Sequence, residues 1–125
     1  MSGILKAVAV AALISLALAG CDQKKDEAPA PVTLDTRLGE IYGHTCQTCH
    51  ENAESGAPVA HDLAQWKPRL AQGDKALRDH MVEGFNGMPP LGQCIECSEE
   101  DLMTLMRFMS SPAPKGEASK EDEKN

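Results

Sequence analysis

Residues 46–50, which read Cys-Gln-Thr-Cys-His, constrain this chain more than any other stretch. Cys46 and Cys49 lie three positions apart, about one turn of a helix, so their thiols reach the same side. At that spacing both thiols can add to the vinyl groups of one haem, and His50 then follows as an axial ligand of the iron. The pattern predicts one covalently attached haem c.

A second Cys-x-x-Cys pair, Cys94 and Cys97, admits three interpretations. Combined with Cys46 and Cys49 it would form a four-cysteine zinc site, but 44 residues separate the pairs and His50 would have no role. A disulfide is favoured, because the N-terminal sequence described below predicts export to an oxidising compartment. A strained pair that exchanges thiols is the remaining alternative.

Residues 86–90 read Asn-Gly-Met-Pro-Pro and supply a candidate ligand for the other side of the iron. A methionine thioether favours ferrous iron and raises the reduction potential, which suits a haem that transfers electrons. Met88 lies 38 residues after His50, and two prolines follow it directly, so the loop is stiff. We predict that Met88 is the second axial ligand; a hydrophobic filling role is the alternative. Other methionines at helical spacing are predicted to pack in the core: Met81, Met103, Met106 and Met109.

The composition limits both the core and the partners. The chain has 125 residues, a formal net charge of -7 and only 3% aromatic residues. Such a chain holds one small domain, and a haem would supply the rigid apolar body that its few aromatic side chains cannot. The acidic balance speaks against nucleic acid as a partner, because nucleic acid binds basic surfaces.

The N-terminus predicts export and lipidation. Residues 1–20 contain Lys6 and an apolar run that is short for a membrane-spanning helix and typical of a signal peptide. Residues 18–21, Leu-Ala-Gly-Cys, resemble a bacterial lipobox, so Cys21 is predicted to become the lipidated mature N-terminus. By resemblance to lipoproteins of enteric-type bacteria, an acid at Asp22 favours the inner membrane. We therefore expect the domain on the periplasmic face of a bacterial membrane; an uncleaved transmembrane anchor is the alternative.

The rest of the chain divides into a tether, a domain and a tail. Residues 21–34 comprise the lipidated cysteine and a polar, proline-spaced tether that would span roughly 20 Å. Residues 35–112 are predicted to form the haem domain. Residues 113–125 are charged and poor in apolar side chains, so we predict a disordered tail.

The domain is predicted to begin and end with helices that touch. Asp35 and Ser98 are favourable N-caps, and each precedes apolar residues at helical spacing. Glycine in a helix interior costs about 1 kcal/mol against alanine, so its presence needs a reason. We expect Gly39 to allow a close crossing of the two helices.

Two further helices are expected between these. Residues 73–84 place Ala76, Leu77, His80 and Met81 on one face. Residues 62–70 predict only a turn or two of helix, broken at Pro68, because proline lacks the N–H and crowds the preceding turn.

Together these motifs resemble those of the class I c-type cytochromes, specifically the cytochrome c5 group. The resemblance covers nearly the whole domain and rests on residues 39–42 (Gly-Glu-Ile-Tyr), 46–50, 56–58 (Gly-Ala-Pro), 66 (Trp), 69 (Arg), 87–90 (Gly-Met-Pro-Pro), 92–97 (Gly-x-Cys-x-x-Cys) and 98–102 (Ser-Glu-Glu-Asp-Leu). It implies an all-α fold of about four helices around one covalently attached haem, with crossing N- and C-terminal helices. It also implies axial ligation by His50 and Met88 and a disulfide between Cys94 and Cys97.

The resemblance also assigns roles to two polar side chains. Family positions matching Trp66 and Arg69 lie near the haem, and an indole N–H or a guanidinium can bind a buried haem propionate. We predict haem contact for both; a core tryptophan and a surface arginine are the alternative. The chain departs from many relatives at residues 59–61, Val-Ala-His, so the turn there is expected to differ. The remaining histidines, His44, His61 and His80, are not expected to bind iron.

These features predict an electron carrier rather than an enzyme. The expected carrier is tethered to the membrane and passes single electrons between protein partners, a quinol-oxidising complex on one side and a terminal oxidase or reductase on the other. The alternative is a haem enzyme, or a sensor of a gas or peroxide, in which Met88 is labile. A single haem motif and the lack of a clear distal acid–base group speak against that alternative.

Overall fold

The computed structural model describes residues 29–115 of the chain. The predicted signal peptide, Cys21 with most of its tether, and most of the predicted tail lie outside the described residues. Within residues 29–115, no helix has the length and hydropathy needed to cross a membrane.

The described part of the chain is helical, which confirms the predicted all-α fold. A continuous N-terminal helix comprises α1 (Thr36–Ile41), a π-helical segment (Tyr42–Cys46) and α2 (Gln47–His50). Three more helices follow, α3 (Leu63–Leu70), α4 (Asp74–Glu83) and α5 (Glu99–Met109). Short 3-10 segments lie at Ala53–Ser55 and Pro90–Gln93, and residues 29–115 contain one isolated β-bridge, between Phe85 and Met88.

Both terminal helices begin as their sequences predict. The Asp35 carboxylate accepts from the N–H of Leu38 at 2.8 Å. Ser98 and Asp101 form a reciprocal capping box, in which each side chain accepts from the other's backbone N–H. The helices then contribute to a core rich in leucine and methionine. Its buried apolar residues are Leu38, Ile41, Tyr42, Trp66, Leu77, Met81, Cys94, Cys97, Leu102, Met103, Leu105, Met106, Phe108 and Met109.

The expectation that Gly39 lies at a close helix crossing is wrong. The N-terminal helix and α5 meet through Tyr42 and Phe108, whose rings pack edge to face with centroids 5.1 Å apart. Gly39 is exposed, and a Cβ atom built on it would meet nothing within 4 Å. Leu38 and Ile41 fix the buried face, and Gly39 follows Leu38 by one residue, about 100° around the helix.

The expectation that Pro68 breaks a helix is also wrong, because α3 continues through it. The Asp62 carboxylate caps the start of α3 by accepting from two backbone N–H groups, at 3.1 and 3.2 Å. Trp66, which is only 3% exposed, ties the middle of the helix to the core. Pro68 stands in the last turn, where it removes a single intrahelical bond, and the cap and the buried indole outweigh that loss.

The packed part of the chain begins before Asp35. Val32 and Leu34 are partly buried against the core, and the Val32 N–H donates to the Ser111 hydroxyl at 3.0 Å. The sequence predicts that Val32 and Leu34 belong to the tether, but both side chains contact the folded domain. The hydrogen bond also joins the N-terminal segment to the chain that leaves α5.

The open surroundings of Gly39 generate a stability prediction. Gly39→Ala should raise the free energy of unfolding by about 0.5–1 kcal/mol, because alanine loses less backbone entropy and its Cβ meets no neighbour. Urea unfolding of the haem-loaded protein measures the change. Gly84→Ala is the contrasting control: Gly84 has φ 85° and a Cβ there would lie 2.9 Å from Met88 O, so this variant should be destabilised. Destabilisation by Gly39→Ala would mean that the helices pack closer than described.

The ion pair between Arg37 and Asp101 predicts a pH dependence of stability. The hydrogen bond from Arg37, followed by those from Ser98, lowers the pKa of Asp101 from 3.8 to about 2. Because the folded-state pKa is the lower one, the stabilisation is present above pH 4 and is lost as the pH falls towards 2. Asp101→Asn should flatten the pH dependence of the free energy of unfolding across this window. Glu100→Gln, in the same helical turn, is the control and should retain the wild-type slope.

Candidate functional site

The two cysteines of the Cys-x-x-Cys-His motif are both free thiols at the end of the N-terminal helix. Cys46 closes the π-helical segment and is half-buried, and Cys49 lies one turn later and is exposed. Burial raises the pKa of the Cys46 thiol, and a contact with the Thr45 hydroxyl partly offsets that rise. Two unbonded thiols one turn apart are what thioether formation to one haem requires.

His50 ends the same helix, and its ring is already oriented for a metal. The side chain is 7% exposed, and Nδ1 lies 2.8 Å from the carbonyl oxygen of Pro58. A carbonyl can only accept, so Nδ1 carries the proton and the lone pair is on Nε2. Burial lowers the pKa of His50, although the bond to Pro58 opposes this and the charge of Arg69 adds to it. A neutral imidazole with a fixed tautomer is the form that ligates iron.

Trp66 packs against this imidazole rather than offering a free donor. The two rings are stacked, with centroids 5.9 Å apart and planes 21° from parallel. The single indole N–H donates to the carbonyl oxygen of Val59 at 2.8 Å. The single N–H donor of the Trp66 side chain is therefore engaged by the backbone. A ring contact between Trp66 and the haem stays a prediction.

Arg69 lies one turn after Gln65 on α3. One of its guanidinium nitrogens donates to the Gln65 carbonyl oxygen at 2.5 Å, and the side chain is half-buried. The positive charge of Arg69 also contributes to the lowered pKa of His50. A propionate contact for Arg69 stays a prediction.

Met88 is presented by a tight hairpin. Phe85 and Met88 exchange backbone hydrogen bonds of 3.0 and 2.9 Å, and Asn86 between them has a positive φ of 52°. The backbone of Met88 also lies against Gly84, where any Cβ would collide with it. The Met88 side chain is partly buried against the core. Such a loop fixes the backbone from which the thioether side chain projects.

The segment that follows Met88 contacts the helix that carries the cysteine motif. The 3-10 segment that follows Met88 (Pro90–Gln93) packs against the π-helical segment that contains Cys46. Two free thiols, a neutral buried imidazole and a partly buried thioether together match the donor set of a haem c with two axial ligands. Among residues 29–115, no three His, Cys, Asp or Glu side chains are grouped to hold a metal ion, so the four-cysteine zinc site does not form there.

Cys94 and Cys97 are bonded to each other as a disulfide, with Cα atoms 5.4 Å apart. Both are buried, and they connect the end of the Met88 region to the Ser98 cap of α5. Ile95 between them is 88% exposed. The sulfurs are therefore engaged with each other and unavailable as zinc ligands.

Two of the other three histidines have partners of their own. His61 has a positive φ of 66°, and its Nδ1 lies 2.8 Å from the carbonyl oxygen of Ser111. His80 stacks on Phe85 with ring centroids 3.8 Å apart. His44 is exposed.

Sequence reasoning assigned no role to Pro58, Gly84 or Gln65. Pro58 entered only as the last residue of the Gly-Ala-Pro motif. Its position eight residues after His50 is the available signal for a carbonyl that bonds to the imidazole. Gly84 ends a predicted helix, and its position before the Met88 loop was the signal for a sharp turn. Nothing in the sequence marks Gln65, although its side-chain partners Val59 and Asp62 lie only six and three positions before it.

Comparison with known proteins gives consistent matches. The sequence model of the family described as "Cytochrome C oxidase, cbb3-type, subunit III" matches residues 34–109. Cytochrome c5 of Ectopseudomonas mendocina is 34% identical over 73 residues, which are 57% of this chain and 84% of that protein.

Two solved structures share the fold. A mono-haem ferrocytochrome c from Shewanella putrefaciens is 38% identical, with a TM-score of 0.54 over 65% of this chain and 99% of that one. A second match comes from the crystal structure of an electron transfer complex of nitrite reductase with cytochrome c. It is 32% identical, with a TM-score of 0.54 over 62% of this chain and 95% of that one.

Proposed function

This chain belongs to the class I c-type cytochromes, and on that premise we propose that it is a membrane-tethered, one-electron carrier whose iron is held by His50 and Met88. Members of the family carry one covalently bound haem c, which supplies a one-electron couple at its iron. The single observation that carries the proposal is the buried, neutral imidazole of His50, fixed by the Pro58 carbonyl at the end of the helix that holds both free thiols.

The two proposed ligands suit electron transfer because neither has to move. His50 is held at its ring by Pro58 and along its face by Trp66. Met88 is held by backbone hydrogen bonds on both sides of a two-residue turn. Ligands that keep their positions in both oxidation states leave little structural rearrangement to slow the transfer, and a closed axial pair keeps small molecules from the iron.

The surface charge suits protein partners that are basic at the contact. Between residues 35 and 107 the chain has twelve acidic and six basic side chains. Opposite charge steers encounter and orients partners before electron transfer. The matched cytochrome that is bound to nitrite reductase supports a reductase as one acceptor, and we propose a quinol-oxidising complex as donor with a terminal oxidase or reductase as acceptor.

We also propose that Cys21 carries a lipid on the periplasmic face of a bacterial membrane. The lipobox-like residues 18–21 and the short apolar run before them support this. Val32 marks where the chain joins the folded domain, so residues 22–31 would separate the lipid from the domain. A tether of this length keeps the carrier near membrane-bound partners and raises its effective concentration there.

Ligation by Met88 is tested by replacing it with leucine in protein matured in the periplasm. The ferric wild type should show the weak near-infrared band of methionine-ligated haem, and Met88→Leu should lose it and bind carbon monoxide in the ferrous form. Met81→Leu makes the same chemical change at a buried core position and should keep the band. A wild type without the band, or one that binds carbon monoxide readily, would instead favour a haem enzyme or sensor.

The lipid anchor is tested by the mass of the N-terminal peptide and by detergent partitioning. Wild-type protein from a Gram-negative host should enter the detergent phase, and its first residue should be Cys21 carrying a lipid. Cys21→Ser should lack that mass, whether or not its leader is removed. A wild-type N-terminus at another residue, without lipid, would contradict the anchor and leave the haem site unaffected.

A further inference from the structure

A strap of residues 58–60 joins His50 to α3 through two successive peptide groups. In the first group the Pro58 carbonyl accepts from His50 Nδ1 at 2.8 Å, and the Val59 N–H donates to Gln65 Oε1 at 3.3 Å. Each end of that peptide group is therefore engaged, one end by the imidazole and the other by a side-chain amide of α3.

The second peptide group of the strap is held in the same way. Its carbonyl, that of Val59, accepts from Trp66 Nε1 at 2.8 Å, and its N–H, that of Ala60, donates to the backbone carbonyl of His50 at 2.6 Å. The buried indole thus fixes the plane of one peptide group, which constrains the adjoining one. His50 is gripped at its ring and at its backbone by the same short strap.

Gln65 extends the first of these connections to a carboxylate. Its Nε2 donates to Asp62 Oδ2 at 2.7 Å, while Asp62 Oδ1 caps the start of α3. Hydrogen bonds from the Gln65 side chain, followed by its backbone, lower the pKa of Asp62, so the carboxylate stays ionised at neutral pH. A continuous hydrogen-bonded line therefore runs from the imidazole of His50 to a negative charge.

We propose that Gln65 is a positioning residue that relays the charge of Asp62 to the Nδ1–H of His50 and thereby lowers the reduction potential of the haem iron. Metal-binding histidines often donate directly to a carboxylate, which makes the imidazole more basic. Here one peptide group and one amide stand between the two. The inference rests on the proposed function in one respect, since it requires His50 to be an iron ligand.

The direction of the effect follows from polarisation along the line. Hydrogen bonds in a chain strengthen one another, so an acceptor at the Val59 N–H makes the Pro58 carbonyl a better acceptor for the imidazole. A more strongly bonded Nδ1–H gives the imidazole more anionic character. That character stabilises ferric iron more than ferrous iron, so the potential falls.

Gln65→Leu, which removes the acceptor and the donor at similar size, is the direct test in haem-loaded protein. We expect its reduction potential to shift to a more positive value and the Nδ1 proton of His50 to exchange faster with solvent in the ferrous protein, as followed by NMR. Gln65→Glu loses the donor to Asp62 but places a negative charge directly at the Val59 N–H, so its potential should fall below that of the wild type and its Nδ1 proton should not exchange faster. Gln72→Leu makes the same replacement at an exposed glutamine and should match the wild type.

Asp62→Asn tests the far end of the line and keeps the helix cap, because asparagine is also a favoured N-cap. Its potential should also shift positively, and the shift should persist at about 1 M salt, where the field of an exposed charge acting through solvent is screened. If Gln65→Leu does not fold, this variant and Gln65→Glu decide the matter.

An unchanged potential in Gln65→Leu, or equal shifts in Gln65→Leu and Gln65→Glu, would overturn the relay. A shift in Asp62→Asn that vanishes at high salt would also overturn it. Failure of the proposed ligation looks different: the ring protons of His50 in the wild type would then lack the large shifts that a haem imposes on its axial ligand.

Discussion

The hydrogen bond between His50 Nδ1 and the Pro58 carbonyl is the constraint on which the rest of the site depends. It fixes which nitrogen bears the proton and the direction in which the other nitrogen points. The neutral tautomer of His50 follows from this bond. The bond also requires that the strap of residues 58–60 keep the Pro58 carbonyl next to the ring. Trp66 stacks on the imidazole and donates a hydrogen bond to the strap, so one core residue holds both the His50 ring and the segment that bonds to it.

Much of the site could be predicted from the sequence because its chemistry is local. The residues of the Cys-x-x-Cys-His motif lie within little more than one helical turn. The two prolines after Met88 mark it as the proposed second axial ligand. The two terminal helices could be placed because Asp35 and Ser98 cap them and apolar residues recur with the helical period. Each of these features depends on residues only a few positions apart.

The expectations that proved wrong concern the direction in which a residue faces, or the weight of one helix-breaking residue against the rest of its helix. Gly39 was assigned to the helix crossing because it lies among buried residues, but one position of offset turns it to solvent. Pro68 was expected to break α3, but the Asp62 cap and the buried indole of Trp66 stabilise the helix through it. For Trp66 the sequence left the acceptor of the indole N–H open, and the packed structure identifies it as the Val59 carbonyl. Contacts of this kind depend on tertiary placement, which no short window of sequence contains.

The core also reflects its dependence on a prosthetic group. Its apolar side chains are mostly leucine and methionine, with few rings, and Tyr42 and Phe108 supply an aromatic contact between the first and last helices. Flexible methionines adapt to the shape of a neighbouring body, which suits packing around a rigid haem. Cys94 and Cys97 add a covalent link where the Met88 region meets α5.

The central claim is that His50 and Met88 close the two axial positions of one haem, and proton NMR of the ferrous protein with labelled methionine methyl groups tests it most directly. A methyl group held over the iron lies in the strongest part of the ring current of the haem. The account predicts one methionine methyl signal shifted far upfield, and that sequential assignment attributes it to Met88. No upfield methyl signal, or one that belongs to another methionine, would contradict the account.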